Sequence, residues 1–101
     1  LPVSAGTYEG PVRVILHPVG ERLEAGEVLV CRGTDPAWTP LFLQAGALVM
    51  ETGGAVSHGS IVAREYGLPA VAGVSGATER LKDGQQVMVD GSNGQVRLLD
   101  A

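Results

Sequence analysis

Residues Glu51–Pro69 read ETGGAVSHGSIVAREYGLP. Two glycines, then a serine and a histidine, lead into a segment bounded by helix signals. Ser57 is a good N-cap residue, because its hydroxyl can take up one of the amides that a first turn leaves unpaired. Gly67 suits the left-handed position that ends a helix, and Pro69 two residues later is a common stop. The stretch therefore predicts a helix from Ser57 to about Tyr66. Just upstream, Ala47–Met50 (ALVM) is a short, continuous apolar run, as expected of a strand covered on both faces. Buried strand, glycine turn and short helix together point to an α/β domain in which the 57–66 helix lies on a sheet.

Outward from this unit the pattern is mostly strand. Pro11–Leu16 (PVRVIL) alternates and is β-branched, and Glu27–Cys31 (EVLVC) and Pro69–Val74 (PAVAGV) are further strand candidates. QQVMVD and QVRLL flank the glycine- and asparagine-rich DGSNG and read as a C-terminal hairpin. Thr39 and Pro40 are a candidate N-cap and first residue of a short helix closed by Gly46. The expectation is about six strands with two or three short helices in one mixed α/β domain spanning residues 1–101.

Bulk properties narrow the function. Of 101 residues, 45% are hydrophobic and 18% charged, which excludes a disordered chain. The net charge of −4 and the scattering of the seven Lys and Arg residues argue against a nucleic-acid partner. No apolar run approaches the ~18 residues of a membrane-spanning helix, so no membrane partner is expected. Cys31, the one cysteine, excludes an internal disulfide and reads as a buried strand residue. The chain starts Leu-Pro-Val, which reads as a piece of a longer protein.

The chemistry concentrates at Gly53, Gly54, Ser57 and His58. If Ser57 caps the helix, His58 lies in a first turn whose amides and dipole favour an anion such as phosphate. Glycines upstream let the backbone approach that anion, and Gly54→Val is expected to damage fold and function if that backbone needs a positive φ. A neutral imidazole there is placed to attack phosphorus. The plainer alternative is a histidine that only caps or decorates the helix.

The pattern around it resembles the mobile, or swivelling, phosphohistidine domain of PEP-utilising enzymes, the group of PEP synthase, pyruvate phosphate dikinase and rifampicin phosphotransferase. The residues that carry the resemblance are Gly53, Gly54, Ser57, His58, Ile61, Val62, Ala63, Arg64, Pro69, Ala70 and Val71. The flanking GEVLVCRGTDPAWTPLFLQAGALVMETGG and ATERLKDGQQVMVDGSNGQVRLL fit as well, so the resemblance covers nearly the whole chain. It implies a three-layer β/β/α domain with short helices, cut from a larger cytoplasmic multidomain protein. His58 would be phosphorylated on Nε2 and carry the group between an ATP site and a second site for pyruvate, PEP or an antibiotic hydroxyl. Both sites would lie on neighbouring domains of the same polypeptide. No cofactor is expected on this domain itself; Mg²⁺ and ATP are implied for the full-length enzyme. By the same resemblance Ser57, Gly53 and Gly54 position the phosphoryl group.

Two further residues stay open. Arg64 either contacts phosphate or makes a structural pair, and Thr34 in the GTDP loop either joins the site or serves a turn. The chain departs from the dikinase pattern at Gly59-Ser60, where an Ala-Ala pair is common, and at Val56, where a regulatory threonine stands in the plant enzyme. No G-x-x-x-x-G-K-[ST] loop, G-x-S-x-G elbow or metal-ligand spacing is present, and Lys82 lacks the neighbours of a lipoyl or biotinyl lysine. The rival function is a non-catalytic swivelling module for interaction or regulation, with a vestigial histidine.

Overall fold

β3 (Val28–Cys31) and β4 (Ala47–Met50) are apolar at every position and buried at every position. Such strands need cover on both faces, and their alternation decides which cover each residue receives. Val28, Val30, Ala47 and Val49 enter one core with Val12, Val71, Val87 and Val89. Leu29, Cys31, Leu48 and Met50 enter a second with Phe42 and Ala63. The computed structural model describes residues 1–54 and 56–99, and these two cores divide them into three layers.

The remaining strands are β1 (Pro2–Ser4), β2 (Thr7–Val14), β5 (Ala70–Val71), β6 (Gln86–Asp90) and β7 (Gln95–Leu98). Among the described residues the strands run in the order β1-β5-β4-β3-β2-β6-β7. The β2–β3, β3–β4 and β4–β5 pairs are parallel, whereas β1, β6 and β7 pair antiparallel. Val87 and Val89 of β6 share a core with Val49 and Val71, which lie several strands away in that order. The sheet must therefore fold back on itself as a half-barrel, with β6 and β7 over one face of the parallel strands. Helices α1 (Thr39–Phe42) and α2 (His58–Tyr66) contribute Phe42 and Ala63 to the other face. The expected β/β/α arrangement is the one observed.

Element boundaries depart from the sequence reading in instructive ways. β2 begins at Thr7, because residues 7–11 pair with β6 rather than with the parallel strands. The strand expected over Pro69–Val74 shortens to Ala70–Val71, and Gly73 at φ +73 turns the chain away. β1 and α3 (Ala77–Arg80) carry no strong periodic signal and were not anticipated. Thr39 is the first residue of α1, not its cap. The coil starts earlier, as a 3₁₀ turn at Pro36–Trp38 whose N-cap is Asp35, with Oδ1 accepting from Ala37 N at 2.9 Å. A short acidic side chain bonding two residues ahead, next to a proline with fixed φ, outcompetes the threonine. Gly46 belongs to the approach to β4, donating its N–H to the Glu27 carbonyl.

Candidate phosphohistidine site

Because β3 and β4 are parallel neighbours, the loops that follow them leave the same sheet end side by side. Ligand sites of open α/β sheets gather at these carboxyl ends. Backbone bonds continue past the strands, from Glu51 N to Cys31 O at 3.0 Å and from Thr52 N to Arg32 O at 2.8 Å. Thr52 Oγ1 also donates to Arg32 O at 2.8 Å. The loop bearing Thr34 is thereby tied to the loop bearing Gly53 and Gly54.

α2 starts at His58, which is half-buried, with Ser57 at the N-cap in an extended conformation. Thr34 Oγ1 lies 3.0 Å from His58 Nδ1. Phe42, the buried last residue of α1, stacks on the imidazole with ring centroids 6.1 Å apart and planes 27° apart. Tyr66 in turn meets Phe42 edge-on at 6.5 Å. Nδ1 is thus engaged by a hydroxyl, and one face of the ring lies on Phe42.

Ser57 does not cap through its side chain. Its Oγ lies 3.0 Å from both Gly54 O and Ser60 Oγ, and Ser60 Oγ donates to Gly54 O at 2.7 Å. Two hydroxyls thus converge on one carbonyl and fasten the glycine turn to the first turn of α2. The serine expected to occupy a first-turn amide is turned back toward the loop, so it leaves that turn without a side-chain cap from the N-cap residue. Its amides remain oriented to receive an anion.

The glycine pair divides its work unequally. Gly53 sits at φ +104, which only glycine adopts readily, and a Cβ there would meet Ser57 Oγ at 2.9 Å. Gly54 has no positive φ, and nothing lies within 4 Å of where its Cβ would be. The expectation that Gly54 carries the backbone constraint is corrected: Gly53 carries it.

Arg64 lies six residues past His58, roughly 9 Å along the helix axis. Its Nη1 donates to the Val3 carbonyl at 2.9 Å, tying α2 to β1. Among the sequence candidates, then, Thr34, Ser57, Gly53 and Gly54 surround the start of α2 with His58, and the contact seen for Arg64 is at the sheet edge. Sequence reasoning missed Phe42 and Ser60. Only Ser60 left a signal, as half of the Gly59-Ser60 departure.

Two titratable groups lie on the same strand ends. Hydrogen bonds from Thr78 Oγ1 and Thr78 N hold the Glu51 carboxyl below its usual range. Burial, with the Glu51 charge as a smaller cause, pushes the Cys31 thiol up to about 12. Among the described residues no three His, Cys, Asp or Glu side chains gather to hold a metal. The neighbours of His58 named above offer no carboxylate set for Mg²⁺. No helix of the described residues is long and apolar enough to cross a membrane. His17 is exposed.

The profile of the PEP-utilising enzyme mobile domain matches residues 23–94. Rifampicin phosphotransferase of Streptomyces sviceus is 54% identical over 99 residues, covering 98% of this chain and 11% of that protein. Phosphoenolpyruvate synthase of Aeropyrum pernix is 47% identical over 98 residues, covering 95% of this chain and 12% of its own length. The chain therefore spans only about a tenth of these curated relatives. A solution structure of an enzyme I protein superposes with a TM-score of 0.67 at 32% identity, over 78% of this chain and 33% of that one.

Proposed function

Starting from a chain that belongs to the mobile-domain family of PEP-utilising enzymes, we propose that it is the phosphoryl-carrier domain of a larger cytoplasmic phosphotransferase. His58 Nε2 is the acceptor. Its lone pair forms an N–P bond as the P–O bond to the donor's leaving group breaks. Nδ1 keeps its proton, donated to Thr34 Oγ1, and the resulting imidazolium balances part of the phosphoryl charge. In the second half-reaction the acceptor gives up a proton to its own domain and its oxygen bonds phosphorus, while the N–P electron pair returns to Nε2 and neutral imidazole is restored. Positioning and charge stabilisation dominate such transfers. The uncapped first turn of α2 supplies amides for the phosphoryl oxygens, and Gly53 lets the loop pass beside them.

The observation that best supports this reading is the 3.0 Å contact between Thr34 Oγ1 and Nδ1, at a helix start that Ser57 does not cap through its side chain, which agrees with Nε2 as the reactive nitrogen. Activation of the donor falls to neighbouring domains of the same polypeptide, one binding ATP with Mg²⁺ and one binding pyruvate, PEP or an antibiotic hydroxyl. The isolated domain is expected to hold the group without turnover.

The test is to incubate the full-length polypeptide with ATP and Mg²⁺, and separately with PEP, and to record phosphorus-31 NMR spectra. An acid-labile, base-stable phosphoramidate signal that is lost in His58→Gln supports the carrier, and the effective donor narrows the enzyme class. A polypeptide that binds a donor yet gives no such signal defeats it and favours a module with a vestigial histidine.

A further inference from the structure

Gly59, directly after the histidine, is buried between two side chains from different parts of the fold. A Cβ built on it would lie 2.5 Å from Met50 Sδ and 2.7 Å from Thr34 Oγ1, with Met50 Cε at 3.1 Å. Non-bonded heavy atoms come to rest at roughly 3.5–4.0 Å, so a methyl there cannot be accommodated without movement. Met50 is 1% exposed and locked in the helix-side core with Phe42 and Ala63, so its thioether has no path to solvent. Thr34 is only half-buried and is the freer of the two. Its hydroxyl is the group that sits on His58 Nδ1.

We propose that Gly59 is a positioning residue for His58, and that Met50 and Gly59 form a size-matched pair setting the distance between Thr34 Oγ1 and Nδ1. A methyl at position 59 either rotates the Thr34 hydroxyl away or lifts the start of α2, and both lengthen the 3.0 Å contact. Shortening Met50 to valine removes Sδ and Cε. The start of α2 then settles toward β4, the methyl fills the vacated space, and Thr34 regains Nδ1. Its meaning for transfer rests on the carrier reading; the geometric coupling does not.

The experiment is long-range proton–nitrogen correlation NMR of the chain with ¹⁵N-labelled histidine, following His58 Nδ1, with exposed His17 as internal reference. Thr34→Ala fixes the shift of an Nδ1 that has lost the hydroxyl. Gly59→Ala is expected to move Nδ1 toward that value, and Gly59→Ala with Met50→Val to return it toward wild type. If Gly59→Ala alone fails to fold, a folded double variant with a wild-type Nδ1 shift supports the pairing equally. An unmoved Nδ1 in Gly59→Ala overturns the proposal. So does a double variant that stays displaced or does not fold. A polypeptide that takes no phosphoryl group but shows the restored shift would sink the carrier reading and leave this one standing.

Discussion

Replacing each glycine of the pair in turn separates backbone constraint from sequence pattern. At φ +104, Gly53 lies outside the left-handed well near +57° that other residues occasionally occupy. Holding an alanine there costs on the order of 1–3 kcal/mol. Its Cβ would also stand 2.9 Å from Ser57 Oγ, which is bonded within the Gly54–Ser60 cluster. Displacing that hydroxyl loses about 1 kcal/mol more. The sum for Gly53→Ala is about 2–4 kcal/mol. Gly54→Ala meets neither obstacle and stays within about 0.5 kcal/mol. With a urea slope of about 2 kcal/mol per molar, the Gly53→Ala midpoint falls by about 1–2 M and the Gly54→Ala midpoint by under about 0.3 M. The assay is equilibrium urea unfolding of the three proteins side by side. Equal midpoints for the two variants, or a larger fall for Gly54→Ala, would refute the assignment of the constraint to Gly53.

Thr34→Ala removes one hydrogen bond of about 0.5–1.5 kcal/mol, so phosphorylation of His58 should slow about 2–12-fold, with Thr34→Ser restoring it, in a rapid-quench assay. Cys31 should resist thiol reagents in the folded chain and react only in denaturant, because burial keeps its thiol protonated. Glu51 has a lowered folded pKa, so its contribution is present above the ordinary value of 4.5 and is lost as pH falls through the lower folded value. Thermal midpoints of Glu51→Gln should therefore depend less steeply on acidification than wild type, the remaining slope including Asp90, which hydrogen bonds from Asn93 also hold low. Arg64→Ala should speed hydrogen exchange at the β1–β5 pairing, since the guanidinium ties α2 to Val3.

What could be read in advance follows from how local each signal is. β4 was legible to the residue, because a strand buried on both faces is a continuous apolar run bounded by polar residues and glycine. The α2 helix was legible at both ends, from Ser57 and from Gly67, which takes the left-handed conformation at φ +69. β1 was not legible, since three residues at an edge have no periodicity to detect. Nor could sequence tell that Ser57 would bond back to the loop, because that depends on Ser60 competing for the same carbonyl. Thr34 is 24 residues from His58, and only the parallel pairing of β3 with β4 brings their loops together. Phe42 shares no motif with the histidine it stacks on. The histidine proposed as acceptor was thus legible in the sequence, while the residues that contact its ring, Thr34 and Phe42, come together only in the tertiary fold.

That selection is the central claim, and the most direct measurement locates phosphorus on the ring. The chain, labelled with ¹⁵N-histidine and phosphorylated by phosphoramidate, a donor that needs no enzyme, is read by nitrogen–phosphorus coupling. The account predicts phosphorus on His58 Nε2, with Nδ1 still hydrogen-bonded to Thr34, while His17 has no such restriction. Phosphorus on Nδ1 of His58, or a His58 that takes no phosphoryl group while His17 does, would contradict it.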